Sequence, residues 1–271
     1  MIGCGIDAGS RAMKVVLMEA AGRRVIASAQ ADQQPDQKGL AGELLAQALR
    51  TGGLKASLIA RTVATGYGRQ LIEQADTVIT EISCQARGVT SLVPDARVII
   101  DIGGQDSKVT YLDSRGVRDF AMNDRCAAGT GQFLEMAARR LGIPLLELGT
   151  AAASSRAPAT ITSMCAVFAE TEIVSLLASG IRQEDVAAGI LRSITQRVAS
   201  LGTRGMSEPV VFTGGTALIP GLEEVLGRTL GMPVTVPPEP QLTAARGAAI
   251  LACEMIAPRS TEADRPRPVR S

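Results

Sequence analysis

The chain has no histidine and no tryptophan, and only two tyrosines and four phenylalanines among 271 residues. Without histidine there is no Ser-His-Asp or Cys-His pair, no imidazole metal ligand and no imidazole base. Chemistry must come from carboxylates, lysines, glutamines, thiols or backbone amides. So few rings leave the core to Val, Ile, Leu, Ala and Met and provide no stacking platform for nucleobases. No stretch approaches the ~18 apolar residues of a membrane span, and the opening MIGCGIDAGS has no basic region ahead of a long apolar run. No GxxxxGK[ST] sequence occurs, which excludes a P-loop. The five cysteines, Cys4, Cys84, Cys126, Cys165 and Cys253, are odd in number and form no CxxC pair, which argues against a disulfide framework. The expected compartment is a reducing cytoplasm. A net charge of +1, with both signs spread along the chain, lacks the basic stripe of a phosphate-backbone binder. Neither nucleic acid nor membrane is an expected partner.

What is present is an ordinary globular composition, 46% hydrophobic and 20% charged, arranged in alternating strand and helix patterns. Residues 2–7, 13–19 and 24–30 read as three short strands joined by the turns AGSR and AAGR. A helix follows with Leu40, Leu44, Leu45, Ala48 and Leu49 on one face and Gly52-Gly53 as its stop. A strand at 62–65 ends at GYG, and a helix over 81–92 stops before Pro94. Strands at 98–102, 109–113 and 117–122 then repeat the opening meander. Ile-Asp-x-Gly-x4-Lys-Val occurs in both copies, at Asp7, Gly9 and Lys14 and again at Asp101, Gly103 and Lys108, which points to a duplicated architecture. Helices are expected at 132–141, 165–179 and 186–201, a buried strand at 210–213, a helix at 221–230, a short strand at 234–236 and a last helix at 242–256. From Pro258 the chain is Pro- and charge-rich and reads as a disordered tail, 258–271.

Each Asp-x-Gly sits where a strand turns back, so amides and the Ser10 hydroxyl can approach a phosphate while Asp7 faces a magnesium ion and Lys14 returns toward the same anion. The plain alternative is a type I′ or bulged hairpin in which Asp and Gly serve only the turn. The second copy adds Gly104, Gln105 and Asp106. Two such loops facing one cleft would grip a triphosphate, with Asp101 or Gln105 placing the attacking water. Thr213-Gly214-Gly215 ends a buried strand and admits close approach of a ligand, with the adenosine as the candidate.

Taken in order, Asp7-x-Gly9-Ser10, Asp101-x-Gly103-Gly104-Gln105, Gly129-Thr130-Gly131, Thr213-Gly214-Gly215 and Gly247-Ala-Ala resemble the two phosphate motifs, first connecting motif, adenosine motif and second connecting motif of the actin-like ATPase superfamily. Within it, NDRCAAGTGQFLE and SMCAVFAETEI resemble the activators of 2-hydroxyacyl-CoA dehydratases and the ATPase subunits of benzoyl-CoA reductase, over about residues 2–257. The resemblance implies an α/β fold of two duplicated actin-like, ribonuclease H-like halves with a nucleotide cleft between them. Residues 1–94, completed by the helix at 242–257, would form the first half, and 95–241 the second, carrying the cluster cysteines. It implies catalytic roles for Asp7, Asp101 and Gln105. Nucleotide contacts are implied for Gly9, Ser10, Arg11, Ala12, Met13, Lys14, Gly103, Gly104, Gly129, Thr130, Gly131, Gly214, Gly215 and Gln241. Its cofactors would be ATP, Mg2+ and a 4Fe-4S cluster shared between two subunits through Cys126 and Cys165. Its partners would be a like subunit, in a homodimer or heterodimer, a ferredoxin or flavodoxin as electron source, and a CoA-thioester dehydratase or aromatic-ring reductase as acceptor. The family commonly carries small hydroxyl residues where this chain has Arg11-Ala12, and often histidine where it has Gln85.

By position, Cys126 lies just before the helix opened by Gly129-Thr130-Gly131 and Cys165 near the start of the helix expected at 165–179, so both thiolates are expected at positive helix ends. A lone free cysteine is most often a small buried hydrophobe; the surrounding motifs favour ligand roles for these two, while Cys4, Cys84 and Cys253 lie in apolar patterns and read as core. Two rival functions share the fold: a small-molecule kinase of the N-acetylhexosamine type, and a non-enzymatic actin-like or chaperone-like binding module.

Overall fold

A computed structural model describes residues 1–202 and 205–256; the expected tail at 258–271 lies outside the described residues. The alternating pattern folds into two five-stranded sheets with helices packed against them. Strands β1 (Ile2–Ala8), β2 (Ala12–Glu19), β3 (Val25–Asp32), β4 (Ile59–Thr65) and β5 (Thr77–Val78) form the first, in the order β3-β2-β1-β4-β5. Strands β6 (Val98–Ile102), β7 (Ser107–Asp113), β8 (Gly116–Asn123), β9 (Val210–Thr213) and β10 (Val234–Thr235) form the second, in the order β10-β9-β6-β7-β8. In each sheet the first strand pairs antiparallel with the second and parallel with a later strand.

The repeat seen in the sequence is a structural one. Asp7 lies directly opposite Lys14 across β1 and β2, and Asp101 directly opposite Lys108 across β6 and β7. Neither Gly9 nor Gly103 has positive φ, so these are not the type I′ turns that Asp-Gly hairpins favour. They are wider loops whose ends the strands hold in register.

The helices are α1 (Gln37–Thr51), α2 (Glu81–Thr90), α3 (Gly131–Leu141), α4 (Leu148–Ala153), α5 (Ala166–Ala178), α6 (Gln183–Leu201), α7 (Leu222–Leu230) and α8 (Thr243–Ile256). On the second sheet, Val98, Ile100, Val109 and Phe212 meet Phe133 and Leu134 of α3 and Ile190 and Ile194 of α6 in the largest core. On the first, Ile6, Met13, Val15 and Leu17 meet Leu40 and Leu44 of α1. Helix α8 returns to cover β2 through Ala245, Ala249 and Cys253. Helix α2 lies between the sheets: Cys84 packs with Ala248 and Ala252 of α8, while Ala86 and Val89 pack with Ile99 and Val211 of the second sheet. Its crossing with α8 is backbone to backbone, because a Cβ on Gly247 would collide with the Cys84 carbonyl and one on Gly88 with the Thr243 carbonyl. Among the described residues no helix is long and apolar enough to cross a membrane.

Candidate nucleotide cleft and cysteine pair

The two Asp-Lys loops open onto one cleft of about 470 Å3, within the range of small-molecule sites. On the first loop, buried Asp7 takes the Lys14 ammonium on Oδ2 at 3.0 Å, and its Oδ1 is buried with no partner. Burial works to lower the Lys14 ammonium, but Asp7 beside it, with Asp101 and Glu81 farther off, more than offsets this and holds it above its ordinary value. The Gln33 side chain donates to the Gly9 carbonyl at 2.8 Å and props the loop from β3.

On the second loop, Lys108 is the hub of a carboxylate cluster, 2.7 Å from Asp106, 3.0 Å from Glu81 and 4.0 Å from Asp101. Burial works to lower its ammonium, and Asp101, Glu81 and Asp106 together raise it above the usual lysine range. Glu81 is pushed up to about 7, first by burial, against the pull of Lys108, with Asp7, Asp101 and Asp106 adding repulsion. Asp101 is also raised, chiefly by burial. Its Oδ1 accepts from the Gln85 amide at 3.1 Å and the Thr213 hydroxyl at 3.0 Å. Gln85 donates again to Thr213 at 2.6 Å, and its oxygen lies 3.1 Å from the Thr243 hydroxyl. One neutral side chain therefore ties the middle of α2 to the ends of β6 and β9 and to the start of α8.

The far end of the cleft is made by Gly214, Gly215 and Gln241. Gly214 has φ +90, and a Cβ there would collide with the Ile102 carbonyl, so only glycine lets the strand end this close to β6. The Gln241 Oε1 is buried without a partner.

Of the residues expected at the nucleotide, Asp7, Gly9, Ser10, Arg11, Ala12 and Lys14 line the cleft, as do Asp101, Gly103, Gly104, Gln105, Gly131, Gly214, Gly215 and Gln241. Met13 does not: strand alternation turns it into the first core. Thr130 is buried with its hydroxyl on the Ala127 carbonyl, and Gly129 lines a separate cavity of about 510 Å3 beside Cys126. Glu81 and Gln85 were not expected here. They lie four apart, one turn along the same helix face, but Ser83, Arg87 and Thr90 on the same helix are polar too, so no local pattern singles them out.

Cys126 and Cys165 are both exposed, whereas Cys4, Cys84 and Cys253 are buried. Burial pushes the Cys4 thiol up to about 12 and Cys84 up to about 11, which makes them poor ligands. The Cys126 Sγ lies 3.9 Å from the carbonyl of Met164, the residue before Cys165. Asn123 clasps the Cys126 backbone from both sides, at 2.8 and 3.0 Å. The Cys165 lead-in is held by Glu172, which accepts from Thr162 and Ser163, and by Arg197, which donates to the Ser163 and Met164 carbonyls. Cys165 is the N-cap of α5, as expected. Cys126 instead heads a three-residue 3₁₀ turn, because the first amides of α3 are taken by the second phosphate loop: Gly131 and Gln132 donate to the Gly103 and Gly104 carbonyls at 2.8 and 2.9 Å. The helix-end argument thus holds for one thiol and fails for the other.

A family model, the BadF/BadG/BcrA/BcrD ATPase family, matches residues 4–252. The chain belongs to that family. It is 41% identical to the 2-hydroxyisocaproyl-CoA dehydratase activator of Clostridioides difficile, over 92% of this chain and 93% of that one. To the activator of lactoyl-CoA dehydratase from Anaerotignum propionicum it is 42% identical, over 92% and 96%. A more distant member, a subunit of the benzoyl-CoA reductase of Thauera aromatica, is 35% identical over 84% and 83%. The solved structure of the Clostridium difficile activator with bound ADPNP superposes with a TM-score of 0.90 at 40% identity, covering 94% of this chain and 95% of that one. The two sheets are therefore the two halves of the actin-like ATPase fold, and the cleft between the paired loops is the candidate nucleotide site of a member of the BadF/BadG/BcrA/BcrD ATPases.

Proposed function

We propose that the protein is an ATP-dependent, iron–sulfur electron donor that activates a 2-hydroxyacyl-CoA dehydratase. The observation that carries this is the surface placement of Cys126 beside the segment leading into Cys165, on the same half as the second phosphate loop. Two exposed soft donors fixed by Asn123, Glu172 and Arg197 fit a thiolate-bound cluster; one chain supplies two of the four ligands a 4Fe-4S cluster requires, and a second subunit supplies the rest. Such a cluster provides a one-electron couple of low potential. The orphaned buried Oδ1 of Asp7 fits Mg2+, a hard cation that neutralises phosphate charge; Glu81, Asp101 and Asp106 also converge, within 4.8 Å of one another, but already share the Lys108 ammonium.

Asp7, Lys14 and the amides of Gly9 and Ser10 receive one side of the triphosphate, and Gly103, Gly104 and Gln105 the other. Asp101, oriented by Gln85 and Thr213, or Gln105 positions the attacking water, and Gly214, Gly215 and Gln241 hold the nucleoside. A change in the second phosphate loop passes through the Gly103 and Gly104 carbonyls to α3 and through the short 3₁₀ turn to Cys126. The coupling is of the switch-loop kind. Higher identity to dehydratase activators than to the benzoyl-CoA reductase relative favours a dehydratase over an aromatic-ring reductase as acceptor. A cytoplasmic ferredoxin or flavodoxin would supply the electron.

Iron and sulfide analysis of protein purified without oxygen tests this. The expected content is about two iron atoms per chain, lost in both Cys126→Ser and Cys165→Ser. Iron-free protein after anaerobic reconstitution, with ATPase unchanged in both variants, would overturn it.

A further inference from the structure

Arg11 stands between the two phosphate loops. It follows Ser10 in the first loop, and its stem lies so close to the second that a Cβ on Gly104 would collide with it. The guanidinium crosses the cleft: Nε donates to the Glu135 carboxylate of α3 at 2.8 Å, and a second nitrogen lies 3.5 Å from Asp32 at the end of β3. Among the described residues, seven carboxylates line the cleft (Asp7, Asp32, Glu81, Asp101, Asp106, Asp124 and Glu135) against two cations, Arg11 and Lys14, with Lys108 buried behind Glu81, Asp101 and Asp106. Lys14 is sunk to 17% side-chain exposure and bound to Asp7, whereas Arg11 keeps 52% of its side chain open.

We propose that Arg11 contacts the terminal phosphate of the bound nucleotide, its guanidinium leaving Glu135 when a triphosphate enters and returning when only the diphosphate remains. Among the described residues that line the cleft, Arg11 is the more open cation and Lys14 is held by Asp7, so a multiply charged anion entering this acidic wall draws on Arg11 beside Lys14. Exposed ion pairs such as Arg11–Glu135 and Arg11–Asp32 are weak, while guanidinium-to-phosphate contacts are charge-assisted and bidentate. The released Glu135 has Arg139, 4.0 Å away one turn along α3, as its remaining cation. Arg11 thus reports the terminal phosphate to the helix whose first amides already hang on the second phosphate loop. Only ATP binding is required for this, not the cluster.

Calorimetric titration of the full chain in Mg2+ with ADPNP and with ADP tests the exchange. Arg11→Ala is expected to weaken ADPNP by about tenfold or more while ADP shifts by less than about twofold. Glu135→Gln, which removes the competing carboxylate charge, is expected to tighten ADPNP and leave ADP unchanged. Equal loss of both nucleotides in Arg11→Ala, or loss of neither, overturns the proposal. So does weaker ADPNP binding in Glu135→Gln, which would make the pair a clasp over the nucleotide and not a competition. If Arg11→Ala does not fold, Arg11→Gln, which keeps the stem against Gly104, is judged by the same criterion.

Discussion

Gln85 holds the cleft together without carrying charge. Its amide satisfies Asp101 and Thr213 and meets Thr243, so an apolar residue of similar length removes one hydrogen bond from each of three buried polar groups and leaves the Asp101 Oδ1 to Thr213 alone and Thr243 to the Pro240 carbonyl. Gln85→Met is expected to cost about 1–3 kcal/mol of stability, measured by urea unfolding, and to lower ATP turnover because Asp101 loses its orientation. Unchanged turnover would remove Gln85 from the positioning of Asp101. Glu81 has a different signature. Its folded value of about 7 lies above the ordinary 4.5, so the folded chain holds that proton more tightly than the unfolded chain does. The contribution to stability is complete below the unfolded value and is lost as pH rises through about 7. The melting temperature of nucleotide- and metal-free protein should therefore fall across that interval, with a flatter profile in Glu81→Gln. An identical slope in the variant would assign the effect to other groups.

Among the elements, α2 and α8 decide how the halves are joined. They touch through glycine backbones, and each helix also packs on a sheet. Gly247→Ala forces the helices apart at a point with no flexible neighbour. It is expected to destabilise by about 1–3 kcal/mol, lowering the melting temperature by roughly 2–4 °C for each of these; a melting temperature within error of the parent would show that the crossing relaxes freely. Patterned elements such as α1, α3 and the six meander strands were legible because their apolar periodicity or flanking Gly and Pro are local. Strand β5, of two residues, and α4, of six, were not, since neither is long enough to show a period and both exist through their neighbours: β5 pairs along β4, and Leu148 of α4 is buried in the core it shares with α6. Helix α6 starts at Gln183, earlier than the apolar pattern suggests, with Glu184 and Asp185 in its polar first turn, where acidic residues favour a helix start. Asp185 also accepts from the Arg156 and Ala157 amides and the Ser155 hydroxyl.

At the scale of the whole molecule, Met164, Val167 and Phe168 are 78%, 67% and 69% exposed beside Cys165. Large apolar side chains left open at this density mark an association surface, and under the proposed function it receives the second subunit. Phe168→Asp should then shift the protein toward monomer in sedimentation equilibrium and lower its iron content together; an intact dimer with full iron would place the interface elsewhere. The sequence by itself determined the duplication, the two Asp-Lys loops and the strand-ending glycines, because each is written within a few consecutive residues and requires only local backbone geometry. It also singled out Cys126 and Cys165, though through the motifs around them and not through their spacing. Only the tertiary structure decided that Glu81 and Gln85 enter the cleft, that Gly129 and Thr130 turn away from it, and that Arg11 reaches Glu135, 124 positions along the chain. Those outcomes depend on how closely α2, α3 and α8 approach the two sheets, and such distances follow from packing shared by remote segments, which no local pattern of residues encodes.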